Sequence, residues 1–156
     1  MKKYFGPAVR LTLLLIVVLA VGYPLLIAGI GKLAPGKGKG ETVMLNGKVV
    51  GYALGGQKYT EDKFFWGRPS AVDYNAAGSA GSNKGPTNAD YLKLVQERID
   101  TFLVHNPGIQ KSGIPAELVT ASGSGLDPDI SAAGALVQVK RIAAIRHMQE
   151  SELTKL

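Results

Sequence analysis

The chain has 156 residues, a formal net charge of +6 and no cysteine, which excludes disulfides and thiolate chemistry. The first 33 residues hold four basic and no acidic side chains, whereas the remainder holds fourteen basic and twelve acidic ones. Most of the excess charge therefore belongs to the flanks of an apolar segment. We expect a membrane protein with no nucleic-acid partner.

The first predicted element is a transmembrane helix that begins at Leu11 and ends at Leu33. Residues 11–31 contain no charged side chain, and a helix of this length rises about 32 Å, against a hydrocarbon core of about 30 Å. A cleaved signal peptide is the alternative, but its apolar region is usually shorter. Pro24 is expected to bend the span. Residues 1–10 then form a short cytoplasmic arm, and the bulk of the chain lies on the outer face.

A hinge and a hairpin are predicted next. Residues 34–41 are rich in glycine and lysine, which indicates a flexible connection to a domain at residues 42–156. Two β-favouring runs surround Asn46 and Gly47, and this dipeptide is the strongest short signal for a hairpin because a type I′ turn needs positive φ at both positions.

The rest of the domain is predicted to combine two long helices with two glycine-rich loops, giving an α+β fold. The loop at residues 64–88 contains four glycines, which permit positive φ and close backbone approach, and it should be ordered rather than slack. The second loop occupies residues 119–128. A capping box of Thr87 and Asp90 is expected to start a helix that runs from about Asn88 to His105.

A short helix should start at Pro115, and Asp127 is the expected N-cap of a second long helix that ends near Gln149. The predicted buried faces of the two long helices are Ala89, Leu92, Val95, Ile99 and Phe102 on the first and Ile130, Ala133, Val137, Ala144 and Met148 on the second.

Three kinds of chemistry can be weighed on these residues. Backbone amides of residues 78–85 beside Lys84 could hold phosphate, although the spacing differs from a Walker loop. Ser122 or Ser124 could act as a nucleophile with His105 or His147, but neither serine has the spacing of a nucleophile elbow. Two distant histidines and no cysteine predict no metal site.

The aromatic run that precedes Arg68 has two interpretations. Phe64, Phe65 and Trp66 could form a docking surface, because aromatic residues and arginine dominate interface energetics. They could equally pack beneath the loop, with Arg68 bonded to loop carbonyls. An intermediate arrangement has the aromatic rings inward and the arginine as a bridge.

Several of these segments together resemble the C subunit of the bacterial Kdp potassium-transporting P-type ATPase. The matching segments, in family order over nearly the whole chain, are residues 23–26, 46–51, 65–71, 74–75, 81–83, 85–88 and 119–128, followed by Gln138, Arg141 and Arg146.

This resemblance implies a single-pass subunit of the bacterial inner membrane with its domain outside. The implied partners are a channel-like potassium-binding subunit, an ATP-hydrolysing pump subunit and a small accessory peptide, and potassium is carried by the complex rather than by this chain. The family is described as a catalytic chaperone that raises the ATP affinity of the pump subunit, and is called ATP-binding on that basis. Loops outside the cell would be beyond the reach of cytosolic ATP, so the residues favour a non-catalytic role in assembly and coupling.

The resemblance also yields candidate residues for contact with partners or nucleotide. They are Trp66, Arg68, Ser70, Tyr74, Asn75, Gly81, Ser82, Asn83, Thr120, Ser122, Gly123, Ser124, Asp127, Gln138 and Arg141. Two departures accompany them. Ala132 and Gly134 differ from the residues often found there, and family members usually continue past this helix into an apolar strand, so the resemblance predicts a C-terminally short chain.

Overall fold

The computed structural model describes residues 2–155. Met1, the first residue of the predicted arm, and Leu156, the last residue of the predicted domain, lie outside the described residues. The chain forms two compact units, Met1–Tyr52 and Ala53–Leu156. The hairpin therefore belongs with the N-terminal helix rather than with the long helices.

The first unit begins with a long apolar helix made of α1 (Lys2–Ile16), a π-helical turn (Val17–Gly22) and α2 (Tyr23–Gly31). Its stretch Lys3–Gly31 contains an 18-residue window with a mean hydropathy of 2.7 and is long and apolar enough to cross a membrane. The helix starts earlier than predicted and ends at Gly31 rather than at Leu33. The reason for the early end is Pro35, which disfavours helical geometry just before it.

The π-helical turn lies immediately before Pro24. Proline has no N–H to donate to the preceding turn, and the N–H of Tyr23 reaches back five residues to the carbonyl of Val18. The backbone on both sides of the turn stays in the right-handed helical region. The helix thus accommodates Pro24 with a π-helical turn, in which the backbone hydrogen bond reaches back five residues instead of four.

The predicted hairpin is confirmed. Strand β1 (Thr42–Leu45) pairs antiparallel with β2 (Lys48–Tyr52), and an irregularity in the register falls between Val43 and Met44. Asn46 and Gly47 have φ values of 51° and 76°, as the turn requires. Before β1, the hinge contains a compact turn, Pro35–Gly38.

The second unit contains the two predicted long helices, α3 (Ala89–His105) and α4 (Ala132–Arg146), and a short α5 (Glu150–Leu153). Both predicted caps are wrong by a few positions. Asn88, not the Thr87 and Asp90 box, accepts the N–H of Tyr91. Ser131, not Asp127, accepts the N–H of Gly134 and caps α4.

Two helix ends also differ from prediction. Helix α4 stops at Arg146 rather than near Gln149 because His147 adopts a left-handed conformation with φ of 54°. The helix expected at Pro115 is a single 3-10 turn, Ala116–Leu118.

The core of the second unit lies between α4 and α5. Val139, Ile142, Ala143 and Leu153 form a buried cluster on which Phe65 packs. Helix α3 buries Ile99 and Phe102, as predicted, but its Leu92 is exposed. The predicted face of α4 is wrong: the helix buries Gly134, Gln138, Val139, Arg141, Ile142 and Ala143.

Candidate functional site

The two glycine-rich loops are joined to each other by direct hydrogen bonds. The N–H of Ser122 donates to the carbonyl of Pro69 at 3.0 Å. The hydroxyl of Ser70 donates to the carbonyl of Gly125, and that of Ser79 donates to the carbonyl of Ser124, both at 2.7 Å. The prediction of an ordered first loop is confirmed, and the order comes largely from the second loop.

An ion pair joins the same loops. Nη1 of Arg68 lies 2.8 Å from Oδ2 of Asp127, and the two side chains are 29% and 25% exposed. The hydroxyl of Tyr74 donates to the Arg68 carbonyl at 2.5 Å. Burial, and next the negative charge of Asp127, raise the pKa of Tyr74 above its ordinary value of 10.0, so the phenol stays protonated as a donor.

Gly81 of the first loop serves close approach of the backbone rather than positive φ. A Cβ on Gly81 would lie 3.2 Å from the carbonyl oxygen of Gly123, so the two loops touch through bare backbone. The positive φ values in the first loop belong to Asp73, Tyr74 and Asn83. Of the two properties for which glycine was expected here, close approach is confirmed at Gly81, whereas positive φ is supplied by other residues, since asparagine and aspartate adopt this region in turns.

Gly125 is the glycine of the second loop that does need its conformation. Its φ is +69°, and an added Cβ would lie 2.6 Å from Cγ2 of Val72 and 2.8 Å from the carbonyl oxygen of Ala80. No larger side chain fits there without displacing the first loop.

Below the loops, a buried glutamine of α4 holds the backbone of Trp66. Oε1 of Gln138 accepts the Trp66 N–H at 2.8 Å, and Nε2 donates to the Trp66 carbonyl at 3.1 Å. Nε2 also donates to the carbonyl of Gly134 at 2.9 Å, and Oε1 also accepts from Nη2 of Arg141 at 2.7 Å. All four hydrogen-bonding positions of this amide are thus used.

Arg141 completes the support from α4. Its guanidinium donates to Oδ1 of Asn106 at 3.0 Å and to the carbonyl of Asp62 at 2.6 Å, and its Cζ lies 4.6 Å from the centroid of the Trp66 ring. Burial lowers its pKa from the ordinary value, an effect that the charge of Asp62 opposes. The Arg141 guanidinium therefore contacts four residues, namely Asn106, Asp62, Gln138 and Trp66.

The aromatic run adopts the intermediate arrangement. Phe65 packs on the core, and Trp66 makes edge contacts with Phe102 and with His105, whose ring centroid lies 4.9 Å away. Nδ1 of His105 lies 2.8 Å from a carboxylate oxygen of Asp62. Phe64 stays partly exposed beside Tyr59. Arg68 acts as the bridge through the carboxylate of Asp127; bonds to loop carbonyls belonged to the alternative in which the aromatic residues pack beneath the loop.

A cavity of about 610 Å³ opens beside this junction. Trp66, Arg68, Tyr74 and Arg98 of α3 are among the residues that line it. Nη1 of Arg98 donates to the carbonyl of Val119, and burial lowers the pKa of this arginine. The volume falls within the range of small-molecule and side-chain pockets.

The remaining candidate residues have local roles or stay exposed. Asn75 accepts the N–H of Ala77, and Thr120 donates to the carbonyl of Ala116. Gly123, Ser124 and Asn83 are exposed, and Ser82 is half-buried.

Among the described residues, the candidate serines and histidines form neither a catalytic nor a metal-binding arrangement. Ser122 is 2% exposed, and its hydroxyl accepts the Gly125 N–H. The hydroxyl of Ser124 accepts the N–H of Leu126. Residues 2–155 contain no hydrogen bond between a serine and a histidine and no cluster of three metal-ligating side chains.

Three residues that hold the site were not singled out from the sequence. Asp62 and Asn106 are partners of Arg141, and Glu117 accepts the N–H of Ser131 at 2.9 Å. Asn106 follows the last residue of a helix, a signal for a cap. Asp62 and Glu117 carry no local signal, because their partners are distant in sequence.

Comparison with known proteins decides the family. The profile described as KdpC, K+-transporting ATPase, c chain, matches residues 5–156. The chain belongs to the KdpC family. The joined loops, the buried Gln138 and the stacked Arg141 are therefore features of a KdpC-family chain.

Individual KdpC relatives extend this match over the whole chain. The Potassium-transporting ATPase KdpC subunit of Flavobacterium johnsoniae is 62% identical over 156 residues, covering 100% of this chain and 85% of that protein. That of Flavobacterium psychrophilum is 59% identical, covering 100% and 84%. That of Bacteroides fragilis is 51% identical over 152 residues, covering 96% and 80%.

Proposed function

We propose that this chain is a non-catalytic, single-pass subunit of the bacterial inner membrane that supports assembly of the transporter and couples ATP hydrolysis to potassium import. The bulk of the chain lies on the outer face. The observation that carries the proposal is the junction of the two loops, where backbone contacts, three hydrogen bonds and the ion pair of Arg68 with Asp127 fix an exposed surface in one shape.

A preformed surface suits an accessory subunit. Ordering loops at the moment of association costs free energy for every side chain and backbone segment that is immobilised. Here the loops are ordered by each other and by α4 through Gln138, so a partner meets a rigid face. We place the contact with the channel-like and ATP-hydrolysing subunits and the small accessory peptide at this face.

The chain does not itself conduct potassium in this proposal. One helix cannot enclose a pore, and residues 11–31 contain no ionisable side chain apart from the tyrosine at position 23, whereas ion pathways in membranes are marked by charged or polar side chains. The helix acts as an anchor that keeps the loop junction beside the transporter.

The experiment is reconstitution of the transporter with and without this chain, followed by potassium-stimulated ATPase measurements over a range of ATP concentrations. We expect the other subunits to be recovered together only when the chain is present. We also expect the KM for ATP to be lower in its presence. Equal recovery and an equal KM without the chain would contradict the proposal.

A second candidate, direct nucleotide binding, is favoured by one observation, the cavity beside Trp66. Its volume and its combination of aromatic rings with Arg98 suit a base and a phosphate. The loop at residues 78–85, the expected cradle, does not line this cavity. Equilibrium dialysis of the full chain in detergent with labelled ATP tests this function.

Binding that is weakened by Arg98→Gln and unaffected by Lys84→Gln would place nucleotide in the cavity. The reverse pattern would place it at the glycine loop. No binding at millimolar ATP would leave assembly and coupling as the sole function.

A further inference from the structure

We propose that the β1–β2 hairpin is a second membrane-binding element, which lies in the headgroup region of a bilayer that contains anionic lipids. The inference goes beyond assembly of the transporter and rests on the membrane anchoring proposed above. In this proposal, a lipid surface covers the exposed hairpin.

The hairpin exposes apolar side chains. Six of its side chains are between 46% and 63% exposed, namely Val43, Met44, Leu45, Val49, Val50 and Tyr52. A two-stranded sheet is only marginally stable in water without a covering surface. A covering surface is therefore needed.

The hairpin is tied to the end of the apolar helix. A Cβ on Gly38 would lie 3.4 Å from the carbonyl oxygen of Gly31, the last residue of α2. A Cβ on Gly40 would lie 3.1 Å from the ring of Tyr52, the last residue of β2. The hinge thus holds the base of the hairpin against the point where the helix ends.

That point coincides with the edge of the hydrocarbon core. The uncharged residues 11–31 span about 32 Å, close to the full core thickness of about 30 Å, so a membrane-spanning helix puts Gly31 at the interface. Tyr52 then lies at headgroup level, where tyrosine is enriched in membrane proteins.

Charge around the hairpin complements anionic lipid. Lys32, Lys37, Lys39 and Lys48 surround it, and Glu41 is the single acidic residue between positions 32 and 52. Across residues 2–155, none of these four lysines forms an ion pair within the chain. Basic residues next to a membrane helix are attracted to anionic lipid phosphates.

The test uses the full chain in vesicles of phosphatidylcholine with phosphatidylglycerol. The sequence has no cysteine, so one fluorophore can be placed at a single introduced cysteine. Leu45→Cys and Val49→Cys report on the hairpin, Leu19→Cys on the anchor, and Ala77→Cys on an exposed loop. Quenching by nitroxide-bearing lipids then shows which positions touch the bilayer.

We expect quenching at positions 19, 45 and 49 but not at 77. Quenching at 45 and 49 should weaken in vesicles of phosphatidylcholine alone and at 1 M salt, where screening is nearly complete. Replacing Lys37, Lys39 and Lys48 with glutamine should weaken hairpin binding about fivefold per lysine. The matched control replaces Lys84, Lys93 and Lys155, which lie in the second unit, and should have no effect.

Three results would overturn the inference. Without quenching at position 19, the chain is not anchored and the proposed function fails with the inference. With quenching at 19 but not at 45 or 49, the anchor stands and the hairpin is free of lipid. If quenching at 45 and 49 disappears when the companion subunits are added, a protein is the occupant in the assembled transporter.

Discussion

The side chain of Gln138 pairs with the backbone of Trp66 as a neighbouring β-strand would, accepting its N–H at 2.8 Å and donating to its carbonyl at 3.1 Å. Seventy-two positions separate the two residues, and Gln138 is completely buried. This contact fastens the start of the first loop to α4. The position of the proposed docking face therefore depends in part on this amide group.

Replacing Gln138 with leucine should lower the free energy of unfolding by about 3 kcal/mol, because buried backbone groups of Trp66 lose their partner at about 1–3 kcal/mol each. Chemical denaturation in detergent micelles, followed by the fluorescence of the single tryptophan, measures the change. Leu136→Ala is the control, since Leu136 is 53% exposed on the same helix. Equal stability of the two variants would contradict this role.

Arg141→Lys should cost about 2 kcal/mol although it keeps the charge. A lysine cannot reproduce the donations to Asn106, Asp62 and Gln138, and it stacks less well on the Trp66 ring. We expect a red shift of the tryptophan emission as well. Arg146→Lys is the matched control because Arg146 is exposed at the end of the same helix; a similar loss in both variants would show that the guanidinium geometry is unimportant.

The ion pair of Arg68 and Asp127 should show a coupling free energy of about 1 kcal/mol in a double-mutant cycle with alanine, as a partly exposed pair does. The coupling should shrink at high salt. Lys63 and Glu61 form an exposed pair and provide the control cycle, in which we expect a smaller value. Zero coupling between Arg68 and Asp127 would mean that the hydrogen bonds alone join the loops.

Acidification should weaken the start of α4 through Glu117. The hydroxyl and then the N–H of Ser131, both hydrogen-bonded to this carboxylate, lower the pKa of Glu117 below its ordinary value of 4.5. The stabilisation is thus fully present above pH 4.5 and is lost as the pH falls through the lower folded-state pKa. Denaturation midpoints between about pH 5.5 and pH 3 measure this loss.

Glu117→Gln provides the comparison for that titration. The amide oxygen can still accept the N–H of Ser131 but does not titrate in this range. We expect the variant to lose less stability on acidification than the parent chain does. Parallel curves for the two proteins would show that Glu117 makes no contribution to the acid dependence.

Signals from neighbouring residues predict the helices and the hairpin, whereas the candidate site is formed by contacts between residues that are distant in sequence. The turn at Asn46 and Gly47 and the periodicity of α3 depend on neighbouring residues, so the hairpin and the helix could be predicted. The caps were misplaced because several adjacent polar residues can each cap a helix. The buried face of α4 was missed because it includes Gln138 and Arg141, polar residues whose partners lie more than 70 positions upstream.

Gly125 and Gly123 offer a matched pair for the central claim that the joined loops form the face on which the transporter assembles. A methyl group at Gly125 would clash with Val72 and Ala80 at a positive φ, at a cost of about 2 kcal/mol, whereas one at Gly123 would meet nothing within 4 Å. The loops should be displaced in the first variant and unchanged in the second.

The decisive measurement is affinity purification of tagged Gly125→Ala and Gly123→Ala chains, each co-expressed with the companion subunits, followed by potassium-stimulated ATPase assay. Near-ultraviolet circular dichroism of each purified chain checks that the environment of Trp66 is retained. We predict that Gly123→Ala recovers the complete, active complex and that Gly125→Ala, with its helices folded, recovers much less. Full recovery and activity with Gly125→Ala would contradict the claim.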